Sequence, residues 1–144
     1  MFSPSLAMPF GRPQQHFANA YKMVGVETGV AGASPHQLVQ MLFDGFMDAL
    51  SQARGALRAG NVEAKGRAIG RAVRIIDEGL KASLNMGQGG ELAADLNDLY
   101  AYTTLRLTQA NLRNDERALD ECQRLIEPLR SAWTAIAAQV DMQP

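Results

Sequence analysis

The stretch SPHQLVQMLFDGFMDALSQARGALRAGN, residues 34–61, decides the fold. Its first four residues make a complete helix start. Ser34 can accept from first-turn amides, Pro35 suits the first helical position, and Gln37, three residues after the cap, can reach back in a capping box. Behind them Leu38, Leu42, Phe46, Ala49, Ala53 and Leu57 recur at steps of three and four, with Phe43 and Met47 widening the stripe. Gly60 stands where a left-handed residue would end the helix, so a helix over 35–59 is predicted. Asn61 caps a second helix to about Leu84, with Val62, Ile69, Val73, Ile76, Leu80 and Leu84 on one side. Only Gly60 and Asn61 intervene, so the two helices must be antiparallel neighbours.

The glycine-rich run 85–90 breaks the period, and a third helix is predicted over 91–113 with Leu92, Leu96, Leu99, Thr103, Leu107 and Ala110 inward. Asn114 or Asp115 caps a fourth, with Glu116 in its first turn. Its inward set, Cys122, Ile126, Leu129, Trp133, Ile136 and Val140, alternates steps of four and three, the rhythm of a left-handed bundle seam. Pro128 removes one amide and crowds the carbonyl of Arg124, so a bend or a fresh start is expected there. The fold class is therefore all-α, an antiparallel up-down-up-down four-helix bundle over residues 34–140. Ahead of it, Pro4, Pro9, Pro13 and Gly11 make residues 1–15 a disordered tail. Residues 16–33 are too apolar for a mere linker and read as a flexible cap segment with the potential for a short helix near Phe17 to Met23.

A chain of 144 residues has room for one core, and its 47% hydrophobic and 20% charged residues are those of a folded protein. A formal charge of −1 gives no field to draw it to nucleic acid or anionic lipid. One cysteine, Cys122, excludes an internal disulfide and a multi-thiolate zinc site. The opening MFSPSLAMPF lacks the basic and apolar regions of a secretory signal, and nothing downstream approaches a membrane span, so a cytoplasmic protein without stable membrane insertion is expected.

Catalytic chemistry finds no foothold. A di-iron bundle needs Glu-x-x-His pairs, and neither His16 nor His36 lies three residues after a glutamate. A phosphotransfer bundle needs an exposed mid-helix histidine, whereas His36 sits inside a cap and reads as a solvated surface residue. Cys122 is at an inward position, and the glycines of 87–90 follow a helix rather than a strand, unlike a phosphate loop. A non-enzyme without cofactor or metal is expected.

What remains is surface the bundle does not need. At about 100° per residue, the second helix has a back stripe of Ala64, Ala68, Ile75 and Ala82, and the third has Ala101, Leu105, Thr108 and Leu112. Tyr100 and Tyr102 cannot both face the core; Tyr100 reads as inward and Tyr102 as outward. Small residues beside an isolated Ile or Leu make a shallow groove for another amphipathic helix. Gly66, Gly70 and Gly79 inside the second helix each cost about 1 kcal/mol relative to Ala, which suggests close backbone approach or flexibility. The leader around Phe17, Tyr21, Met23, Val24 and Val26 either folds back over a partner surface, to be displaced, or docks permanently to complete the core.

Several of these residues also form an ordered set. Asn19-Ala20-Tyr21-Lys22, the run Ala33 to Gly45, Gly89-Gly90-Glu91, Leu99-Tyr100-Ala101-Tyr102 and Ala110-Asn111-Leu112 resemble, in order and spacing, the flagellar secretion chaperone FliS family from about Phe17 to Trp133. Asn85 departs from the aspartate frequent in the family at that point, which bears on local capping. The resemblance implies a cytoplasmic, non-catalytic export chaperone. Its client would be the disordered C-terminal segment of flagellin, which becomes helical as it wraps the chaperone, is kept from premature polymerisation and is passed to the flagellar type III export machinery. A flagellar regulator such as an anti-sigma factor is the alternative partner, and a phosphotransfer signalling role the alternative of a different class. The family's N-terminal motif places Tyr21 and its neighbours in client binding.

Overall fold

The computed structural model describes residues 32–86 and 90–141, and all their regular structure is helical. Helix α1, Pro35–Ala59, begins with the expected box: Ser34 Oγ accepts from the Gln37 amide at 3.1 Å, and Gln37 Oε1 accepts from the Ser34 amide at 2.8 Å. It ends at Gly60, whose φ of +74° frees the next amide, Asn61, to donate to the Ala56 carbonyl at 2.9 Å. Asn61 Oδ1 in turn accepts from the Ala64 amide at 3.1 Å and opens α2.

Helix α2 occupies residues 62–86 in three joined parts: α-helical Val62–Arg74, a π-helical Ile75–Leu80, and α-helical Lys81–Met86. Helix α3, Glu91–Arg113, closes on Asn114 at a left-handed φ of +50°, so Asn114 terminates α3. Asp115 opens α4, Glu116–Asp141, accepting from the Arg117 amide at 3.0 Å. The fourth helix runs through Pro128 as one element, without a restart.

Helix α1 packs against α2 and α4, and α3 packs against the same two, which is the square of an up-down-up-down bundle. Leu42, Phe46, Leu50, Ile75, Ile76, Leu80, Leu107, Leu119 and Ile126 are fully buried along its axis. Phe43 is buried at the edge of this core and approaches Trp133 with ring centroids 6.5 Å apart.

Several expectations need correction. His36 is not a solvated surface residue. Its ring stacks on Trp133 at 4.3 Å and 6°, with Nε2 3.0 Å from the Trp133 carbonyl while Trp133 Nε1 donates to the His36 carbonyl at 3.0 Å. This double tie joins the start of α1 to α4. The larger correction concerns the phase of α2. Its buried arc runs through Lys65, Ala68, Ile69, Ala72, Ile75, Ile76, Gly79 and Leu80, and Ala82 is buried as well. Val62, expected inward, is 69% exposed. Ile69, Ile76 and Leu80 of the expected stripe are buried and Val73 and Leu84 partly so, but the observed arc is centred on a run that includes the small residues Ala68, Ala72 and Gly79. Beyond Arg74 the i→i+5 bonding of the π segment also takes one residue more per turn, so fixed helical steps lose their phase.

Ends deviate too. Leu92, expected inward, is 71% exposed in the thinly covered first turns of α3, and Ile136 is half-exposed near the end of α4. Gly66 and Gly70 do not mark a close approach, since a Cβ added to either would meet nothing within 4 Å.

Candidate functional site

The candidate surface is the outer face of α3. Ala101, Leu105, Thr108 and Leu112 all point to solvent, Leu105 at 53% and Leu112 at 77% exposure, while Tyr100, Thr103, Leu107 and Ala110 on the opposite side are buried. One helix thus satisfies two apolar stripes. The inner one makes the core, and the outer one has no cover among the described residues. Tyr100 is inside, where burial pushes its phenol up to about 12, and Tyr102 is outside, as their angular separation requires.

Both flanks of the stripe are fixed. On the α4 side, the Tyr102 hydroxyl donates to Glu121 Oε2 at 2.6 Å and Arg106 Nε donates to Glu121 Oε1 at 2.6 Å. Two donors on one carboxylate favour its charged form, first Tyr102 and then Arg106, and hold Glu121 below its ordinary range. The same bond raises the Tyr102 phenol. On the α2 side, Lys65 is almost completely buried and donates to the Asn111 carbonyl at 2.9 Å and to Asn114 Oδ1. Its ammonium therefore satisfies groups at the C-terminal end of α3, where carbonyls lack intrahelical partners. The stripe sits on a helix whose rotation is held from both sides.

Of the other sequence-predicted site residues, Ala64 on α2 is half-buried, whereas Ala68, Ile75 and Ala82 lie inside the monomer and offer no outer stripe. This corrects the reading of α2 as a second open face. Tyr21, Met23, Val24 and Val26 lie outside the described residues, as does the proposed cap segment up to residue 31. An open cleft lined by Gly32, Ala33, Gln37, Gln40 and Met41 lies at the start of α1, diagonal to α3.

Sequence reasoning missed Lys65, Glu121 and Arg106 as the groups that hold α3, and His36 with Trp133 as a tie. Lys65 looks like any surface lysine in a pattern of apolar steps. The long-range pairs, 15 to 97 residues apart, carry no local signal. Cys122 is buried with Sγ 3.7 Å from the Thr103 carbonyl, and burial pushes its thiol up to about 12, so it packs rather than reacts. Among the described residues no three His, Cys, Asp or Glu groups are placed to share a metal ion, and no helix is long and apolar enough to cross a membrane.

These features define a class, the antiparallel four-helix bundle that leaves an apolar helix face open. The particular family follows from comparison. The family model described as flagellar protein FliS matches residues 17–140. The chain is 49% identical over 124 residues to the flagellar secretion chaperone FliS of Salmonella typhimurium, covering 86% of this chain and 92% of that one. It is 42% identical over 117 residues to the flagellar secretion chaperone FliSB of Pseudomonas aeruginosa, covering 81% and 92%. With the FliS of Bacillus subtilis, identity is 33% over 114 residues, covering 79% and 80%. The chain belongs to the FliS family of flagellar secretion chaperones.

Proposed function

We propose that this chaperone receives the disordered C-terminal region of flagellin on the outer face of α3, keeps it from polymerising in the cytoplasm and presents it to the flagellar type III export apparatus. The observation that carries this reading is the exposed row Ala101, Leu105 and Leu112 on a helix already fully used on its other side. A client that orders on binding loses conformational entropy, so its affinity must come from covering extended apolar surface rather than from filling one pocket. A row several turns long suits a client that becomes helical as it docks. Residues 16–33, with Tyr21, Met23, Val24 and Val26, contribute to capture in this reading. The role is that of a binding protein, with no chemical step.

Calorimetric titration of the full chain with a flagellin C-terminal peptide, at several temperatures and alongside circular dichroism, tests the reading. A negative heat-capacity change with gain of helicity is expected. No heat at any temperature and no spectral change would overturn it.

A further inference from the structure

The formal charge of −1 conceals a strong separation along the bundle. Residues 47–74 and 101–128, the half nearest the 60–61 and 114–115 turns, hold ten Lys and Arg against seven Asp and Glu. Residues 32–46, 75–100 and 129–141, the opposite half, hold two against seven. Helix α3 shows the same order by itself: its acids Glu91, Asp95 and Asp98 precede its bases Arg106 and Arg113, with none interleaved.

A helix dipole accounts for only part of this. It favours an acid in the first turn and a base in the last, and the effect fades within one turn, so it covers Glu91 and Arg113 but not Asp95 and Asp98. Internal pairing does not use these charges either: Asp95, Asp98 and Arg113 are exposed and have no ion-pair partner among the described residues. Arg117, just past the turn, is 92% exposed and touches Asp115 only at 3.5 Å. From Asp98 to Arg113 α3 rises about 22 Å, roughly two screening lengths at about 0.1 M salt, so each charged end acts mainly on its own neighbourhood. The exposed Leu105 and Leu112 lie along this gradient. Apolar contact alone is indifferent to direction, since a greasy helix can lie either way along a greasy row. Charge is not indifferent.

We propose that the charge order along α3 sets the direction of the bound client segment: its basic end lies over Asp95 and Asp98, and its acidic end over Arg113 and Arg117. This rests on the flagellin reading above and adds a rule for which segments fit and how they lie.

Two peptides with the apolar positions of the flagellin C-terminal segment test it, one with lysines in its N-terminal half and glutamates in its C-terminal half, the other reversed. Each carries a nitroxide at its lysine end and is added to the 15N-labelled full chain at low salt. The amides of Ala94 to Asp98 should broaden with both peptides, although the two then run in opposite chain directions. The combined variant D95K, D98K, R113E and R117E changes only exposed side chains, and circular dichroism checks its fold. It should reverse both free peptides and so move the broadening to Leu112 to Arg117, whereas peptides held in their original direction by tethering should keep the broadening at Ala94 to Asp98. Tethered in that direction, each peptide should bind the variant about tenfold more weakly, a difference that shrinks in high salt. Both peptides lying in one chain direction, or a variant with unchanged direction and affinity, overturns the charge rule alone. Failure of the native segment to bind overturns the client reading and this rule together.

Discussion

Helices α2 and α3 invite the same sequence reading, a core stripe with a second apolar row behind it, and only α3 fulfils it. On α3 the outward row is exposed at Ala101, Leu105, Thr108 and Leu112, whereas on α2 the supposed outward row vanishes into the core at Ala68, Ile75 and Ala82. The difference lies in what fixes each helix's rotation. Helix α3 has a large, unambiguous inner set, with Tyr100 and Leu107 buried, and polar ties at Glu121 and Lys65 on its flanks. Helix α2 buries a wide arc in which alanine and glycine are as inward as isoleucine, and its π segment breaks the period. An apolar row outside the core is therefore a credible docking face only where the inner face is independently settled.

The largest test of that contrast is a charge at Ile75. It is fully buried, so Ile75→Glu places an unpaired carboxylate in the core and should cost more than about 4 kcal/mol, enough to abolish a cooperative thermal transition. A folded variant with a near-normal midpoint would restore the open-face reading of α2. Next in size is Lys65→Ala, which removes the donor that satisfies the Asn111 carbonyl and Asn114 side chain. A loss of about 1 to 3 kcal/mol in denaturant unfolding is expected, with faster amide exchange at the end of α3.

Most of the architecture was legible in residues 34–61 and in the caps. Ser34, Gln37, Gly60 and Asn61 act locally, within a turn of chain, and each takes its expected place. The rotation of α2 was not legible, because hydrophobic scales assign Ala68 and Gly79 little weight although helix contacts favour small residues, and nothing local announces a π segment. On the candidate surface, Leu105 and Leu112 were readable because their α3 partners left no doubt about which side is inner. Lys65, Glu121 and the His36–Trp133 tie depend on pairings set by tertiary structure, which no single-helix period encodes.

Smaller effects sharpen the same comparison. Gly66→Ala and Gly70→Ala meet open space on α2 and should each stabilise the bundle by about 0.5 to 1 kcal/mol through helix propensity. Destabilisation in chemical unfolding would contradict the open space beside Gly66 and Gly70. The mildest test is acid. Because Glu121 titrates below its ordinary range when folded, the stability it contributes is fully present above about pH 4.3 and is lost as pH falls through that value towards its lower folded pKa. Glu121→Gln should therefore flatten part of the decline in thermal midpoint between about pH 5 and pH 3. An identical pH profile in both proteins would remove the Tyr102–Glu121–Arg106 tie from the account.

The central measurement is paired, the affinity of Leu105→Glu for the flagellin C-terminal peptide beside its thermal midpoint. At 53% exposure a glutamate at that position stays solvated, so the midpoint should move by no more than the equivalent of about 0.5 kcal/mol while affinity falls at least about tenfold. Unchanged affinity in a stably folded variant would contradict the assignment of α3's outer face as the client surface.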